Sequence, residues 1–167
     1  WKGFRGVIEA VARARKEIPD IQLVIVGDGP ERAALLSAAR EAGILERVTF
    51  TGALPRAEAL SYIRAADVFV LNTGYEGFAH FVLEAAALET PIITTDVPGN
   101  SEFLKDGVSA LLVRHDDREG IADAIFKINK DSMLSARLAN EAKKIPEQFS
   151  LNRLLRETET VFRSLMP

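Results

Sequence analysis

The chain has 167 residues, 47% of them hydrophobic and 27% charged, with a formal net charge of −3 and no cysteine. This is ordinary for one soluble globular domain large enough to bury a real core. The charge gives no electrostatic footprint for nucleic acid, and the lack of thiols excludes a disulfide framework and thiolate metal sites while fitting a reducing compartment.

The first predicted element is a helix from Phe4 to Ile18, with Val7, Ile8, Val11, Ala14 and Ile18 at helical spacing and Pro19-Asp20 as its stop. No signal peptide is read ahead of it. Leu23-Val24-Ile25-Val26 is a continuous, mostly β-branched run, as expected of a strand covered on both faces. Gly27-Asp28-Gly29-Pro30 turns the chain into a second helix, Glu31 to Ala42, closed by Gly43. A strand at Val48–Phe50, a helix at Pro55–Ala65 and a strand at Asp67–Leu71 follow. Next come a helix over 79–88, a strand at Pro91–Thr95, a short helix over 99–105 and a strand at Ser109–Val113. Helices near 117–129, 131–145 and 150–165 finish the chain. No apolar run approaches the roughly 18 residues of a membrane span.

Strands alternating with helices of this length predict a doubly wound α/β fold, with a parallel, Rossmann-like sheet and right-handed crossovers. The chain reads as one domain over residues 1–167. Trp1-Lys2-Gly3 leads straight into a helix, whereas an α/β unit begins with a strand, so a first strand is expected to be missing. A sheet lacking it would have a central gap or rearranged pairing, and its open edges invite dimerisation. Trp1 and Phe4 then read as core residues left without their cover.

The most informative segment is Tyr75-Glu76-Gly77-Phe78-Ala79-His80-Phe81-Val82-Leu83-Glu84. It follows a strand and places one acid on a loop, then a helix start, then a second acid inside the helix. A helix start offers free N–H groups and a positive dipole end to a phosphate, and carboxylates beside it suit hydroxyl groups. A ligand with phosphate between two hydroxyl-bearing parts is a nucleotide-sugar. Glu76 alone reads equally as an exposed loop acid. Glu84 stands before Ala85-Ala86-Ala87 in a tightly packed helix, where an unpaired acid is costly. His80 and His115 are too far apart in the chain to suggest a metal site, and no metal is expected. Gly27-Asp28-Gly29 lacks the third glycine of the dinucleotide fingerprint, because Arg32 stands there, so a nicotinamide role is set aside.

Several further segments carry a family resemblance. Lys2-Gly3, the strand and Gly-Asp-Gly-Pro turn over 23–30, Val48-Thr49-Phe50-Thr51-Gly52, Ala65–Val70, the acids Glu76 and Glu84, and Pro91–Glu102 occur in order. Together the chain resembles the C-terminal, donor-binding half of a GT-B glycosyltransferase of the large retaining, family 4-like group. The resemblance implies a hexosyltransferase of polysaccharide or glycolipid biosynthesis that uses a UDP- or GDP-sugar and requires no cofactor. It gives Lys2 a contact with the donor diphosphate, Glu76 a place facing the donor sugar, and Glu84 the ribose hydroxyls. Gly52-Ala53-Leu54 would line the base, Gly27 the crevice, and Gly77, Phe78, Ala79 and His80 the phosphate end of the helix.

The resemblance also implies an N-terminal acceptor domain outside this chain, so the fragment alone is expected to be inactive. It implies a cytoplasmic enzyme and leaves open a peripheral membrane location and a membrane-associated acceptor. A sugar-nucleotide epimerase or hydrolase of the same fold, or a non-catalytic binding module, are the alternatives. Ala79 and Glu89 stand where the family has glycine, His80 where it has an apolar residue, and Pro98-Gly99-Asn100 where two glycines are common.

Overall fold

A computed structural model describes residues 2–165. Trp1, expected to lack its cover, lies outside the described residues; Phe4 is 38% exposed. The elements alternate as expected: α1 (Phe4–Ala14), β1 (Leu23–Val26), α2 (Arg32–Glu41), β2 (Val48–Gly52), α3 (Arg56–Ala65) and β3 (Phe69–Leu71). There follow α4 (His80–Ala87), β4 (Ile92–Thr95), α5 (Pro98–Ser101), β5 (Leu111–Val113), α6 (Arg118–Lys130), α7 (Ser132–Ala142) and α8 (Leu151–Leu165).

All ladders between strands are parallel, in two pieces: β1 beside β2, and β3-β4-β5 with β4 in the centre. The strands present alternate residues to two cores. Val70, Ile93, Leu111 and Val113 pack with α1, α2 and α6, while Phe69, Leu71, Ile92 and Leu112 pack with α3 and α4. Helices therefore cover both faces, and all four residues of β4 are buried, as a central parallel strand requires.

Between β1 and β3 the sheet is open. A cavity of about 2210 Å³ is lined by all of β1 and all of β3, and it continues to Lys2, His80 and Glu84. The volume exceeds the roughly 300–1,000 Å³ of an ordinary ligand site because it includes the slot between the strands. The expected central gap is present, and its walls are apolar: Val24 is 41% exposed.

Local chemistry sets the boundaries. α1 stops at Ala14, short of the predicted Ile18, and the chain tightens into a final turn, with the Lys16 amide donating to the Arg13 carbonyl (3.2 Å) and the Glu17 amide to the Ala14 carbonyl (3.0 Å). Ile18 still packs against the core. β5 starts at Leu111 and not Ser109, because Ser109 Oγ accepts from the Lys105 amide (3.0 Å) and the Ala110 carbonyl from the Gly107 amide (2.8 Å), closing a turn there. α5 is a single turn, Pro98–Ser101, in place of the helix predicted over 99–105. Asp117 and Asp131 cap α6 and α7, accepting from the amides of Gly120 and Leu134 at 2.9 Å each. On α8, Leu154, Leu155, Val161, Phe162 and Leu165 are all more than half exposed, so its apolar face has no cover within the described residues. No described helix is long and apolar enough to cross a membrane.

Candidate functional site

The carboxyl ends of parallel strands are where an open α/β sheet binds ligands. β3 delivers its chain there at Asn72, and the following loop carries Glu76. Lys2, just before α1, arrives at the same place: its Nζ lies 3.1 Å from Glu76 Oε2. The Lys2 side chain is 43% exposed and that of Glu76 17%, so the ammonium faces solvent while the carboxylate is sheltered. An ammonium has three donors, and Glu76 takes one of them.

Buried polar groups hold the Glu76 loop from beneath. Thr73 Oγ1 donates to the Tyr75 carbonyl (2.7 Å), and Thr95 Oγ1 donates to the Thr73 carbonyl (2.6 Å). Asn100 Nδ2 donates to Thr94 Oγ1 (2.9 Å) and to the Thr95 carbonyl (3.1 Å). A Cβ on Gly99 would stand 2.1 Å from the Glu76 carbonyl oxygen, so the loop rests directly on the glycine backbone.

Glu84, one turn into α4, has its side chain 18% exposed. Arg56, at the start of α3, directs both Nε (2.9 Å) and Nη2 (2.5 Å) at Glu84 Oε1. Glu84 Oε2 is buried with no protein partner. A carboxylate oxygen enclosed without a donor is costly.

The remaining predicted residues divide. Gly27 and Gly52 meet at the carboxyl ends of β1 and β2, where the Gly27 amide donates to the Gly52 carbonyl at 2.9 Å; both have positive φ, 125° and 72°. Leu54 lines the same cavity as Arg56 and Glu84. Gly77 and Phe78 lie exposed on the loop, while His80 is exposed as the first residue of α4. The His80 amide is already engaged by the Phe78 carbonyl (2.9 Å). Ala79 is 2% exposed and packs in the core with Val82 and Ala85. The Phe78 and His80 rings meet edge to face at 5.0 Å, and Phe103 and Phe149 complete the aromatic cluster.

Sequence reasoning missed Arg56 and Asn72. Arg56 follows the Gly52-Ala53-Leu54 loop, but its partner lies 28 residues away in the chain. Asn72 interrupts an apolar strand end, and that polarity was its only mark.

Residues 1–145 match the family described as glycosyl transferases group 1. The chain belongs to that family. It is 38% identical over 138 residues to the lipopolysaccharide core biosynthesis glycosyltransferase LpsE of Rhizobium meliloti, covering 83% of this chain and 39% of that protein. It is 30% identical over 165 residues to the alpha-D-kanosaminyltransferase of Streptomyces kanamyceticus, covering 98% and 43%. The chain thus spans less than half the length of these relatives. Among solved structures, Anabaena HepE in complex with UDP superposes with a TM-score of 0.89 at 24% identity, over 99% of this chain and 46% of that one. The C-terminal domain of the group 1 family protein LpcC from Francisella tularensis superposes with a TM-score of 0.81 at 27% identity, over 90% and 80%. The fold is the Rossmann-like α/β unit expected of the C-terminal half of a GT-B glycosyltransferase.

Proposed function

We propose that this chain is the donor-binding half of a two-domain, retaining, family 4-like hexosyltransferase that takes its sugar from a UDP- or GDP-sugar. The observation that carries the reading is the meeting of Lys2 with Glu76 at 3.1 Å at the carboxyl end of β3, in the cavity that also reaches Glu84. Lys2 binds the diphosphate with its two remaining N–H donors and stabilises it as it departs; a fixed positive group in a water-poor cleft is the main demand of this chemistry. Glu76 faces the donor sugar. Glu84, whose side chain keeps 18% exposure, accepts from the ribose hydroxyls. Gly52 and Leu54 line the base end and Gly27 the crevice, and the backbone of Gly77–His80 approaches the phosphates.

The slot between β1 and β3 supports the two-domain reading. Its walls are two parallel strands with open facing edges, and α1 begins at the end of it, so a parallel strand ahead of Lys2 would close the sheet by a right-handed crossover. An acceptor domain precedes that strand, and without it the isolated chain binds donor but transfers no sugar. The enzyme is cytoplasmic, and its acceptor is a growing polysaccharide or a glycolipid at the membrane.

Calorimetric titration of the full-length protein with UDP- and GDP-sugars tests the reading. Binding of one of them, with turnover when an acceptor is supplied, is expected. Absence of binding to every nucleoside diphosphate removes it. Donor hydrolysis or epimerisation without an acceptor would identify the alternative chemistry of the same site.

A further inference from the structure

Asn72 is 1% exposed and stands just beyond β3, where nothing in the strand ladder calls for a polar side chain. Its amide joins two distant segments. Nδ2 donates to the Gly3 carbonyl at 2.8 Å, and Oδ1 accepts from the Asp116 amide at 2.9 Å. Only one orientation of the amide serves both partners, because a flipped group would set oxygen against carbonyl and N–H against N–H.

Both partners are held in the left-handed region, with φ of 59° at Gly3 and 58° at Asp116. That conformation is unfavourable for a non-glycine residue and persists where surrounding contacts fix it. Asp116 in turn sits on the first turn of α1: a Cβ on Gly6 would lie 2.2 Å from Asp116 Oδ1. Gly3 is pressed equally close, with a Cβ there 2.2 Å from the Asn72 carbonyl oxygen. Asn72 therefore seats the junction between Lys2 and α1 on the strand end whose loop carries Glu76.

We propose that Asn72 is a positioning residue for diphosphate binding: its buried amide fixes the Lys2-Gly3 junction so that the Lys2 ammonium stands at Glu76. The inference rests on the donor-binding reading of Lys2 given above. Asn72 itself touches neither phosphate nor sugar.

The test compares wild type, Asn72→Ala and Asn72→Leu in the full-length protein, using ligand-observed NMR with UDP and uridine, and with GDP and guanosine. Loss of the amide frees the junction, so affinity for the cognate diphosphate falls about tenfold in both variants while affinity for the nucleoside stays unchanged. A merely structural loss would lower both. Asn72→Leu keeps the size and removes both hydrogen bonds without adding charge, so it gives the same comparison where the alanine variant does not fold. In a Lys2→Ala background, Asn72→Ala is expected to have no further effect on diphosphate affinity. Equal losses for diphosphate and nucleoside, no loss for either, or full additivity with Lys2→Ala overturns the role given to Asn72. Wild type that binds neither diphosphate overturns the donor-binding reading as well.

Discussion

Lys2 Nζ lies 3.1 Å from Glu76 Oε2, across 74 residues of chain, and the pair marks the carboxyl end of β3 as the place where an anion and a sugar would meet. Replacing Lys2 by Ala is expected to lower kcat of the full-length enzyme by about 10²-fold, the scale for removing one fixed donor to a developing charge. The fold should hardly notice, since an ion pair whose ammonium faces solvent contributes about 0–1 kcal/mol. Steady-state transfer assays beside urea denaturation separate the two effects. A large loss of stability with kcat unchanged would make the pair structural.

Glu84 is held through one oxygen by Arg56 while the other is buried without a partner. Glu84→Gln removes the charge that Arg56 balances and one acceptor for the ribose. Affinity for the nucleoside diphosphate is expected to fall about tenfold, in line with one charge-assisted hydrogen bond. Isothermal titration measures it. Unchanged affinity would favour a non-catalytic module that has kept the fold.

Gly99 carries the Glu76 loop on its bare backbone. Gly99→Ala places a methyl 2.1 Å from the Glu76 carbonyl, and backbone cannot give way as a flexible side-chain tip can. A destabilisation of about 1–3 kcal/mol is expected from such overpacking, together with weaker donor binding as Glu76 moves. Chemical denaturation and donor titration of one sample would show both, and an unaffected variant would mean that the loop is not seated there.

Glu89 closes α4 in the left-handed conformation, with φ of 60°. Its amide donates to the Ala86 carbonyl (3.1 Å) and that of Thr90 to the Ala85 carbonyl (3.0 Å), a Schellman closure that favours glycine. Glu89→Gly relieves the strain and gives up only the exposed pair with Lys143 at 2.6 Å. A net gain of about 0.5–1 kcal/mol is expected in thermal or urea unfolding. A loss would show that the ion pair outweighs the backbone.

The open slot between β1 and β3 presents two strand edges to whatever reaches them. The 167-residue chain alone is therefore expected to associate with rising concentration. Sedimentation velocity over a hundredfold concentration range reads this directly, and a stable monomer throughout would mean that the slot closes on itself.

The alternation of apolar β-branched runs with helical stripes gave the α/β class and the order of elements, because period and turn chemistry are local properties of the chain. The Glu76–Glu84 segment was legible for the same reason: a strand, a loop and a helix start lie next to one another in sequence. Glycine preferences were readable too, and the strained φ of Glu89 stands where the sequence already wanted glycine. That Lys2 and Glu76 serve one ligand was implied by the family resemblance, and their direct contact at 3.1 Å came from the structure alone. What only the tertiary structure decided are contacts between segments far apart in the chain. Arg56 on Glu84, Asn72 between Gly3 and Asp116, and Gly99 under Glu76 leave no periodic trace, since each depends on where whole elements pack. Burial of polar groups such as Asn72 and Thr73 is likewise a property of the assembled layers, because a side chain is buried only when remote chain covers it.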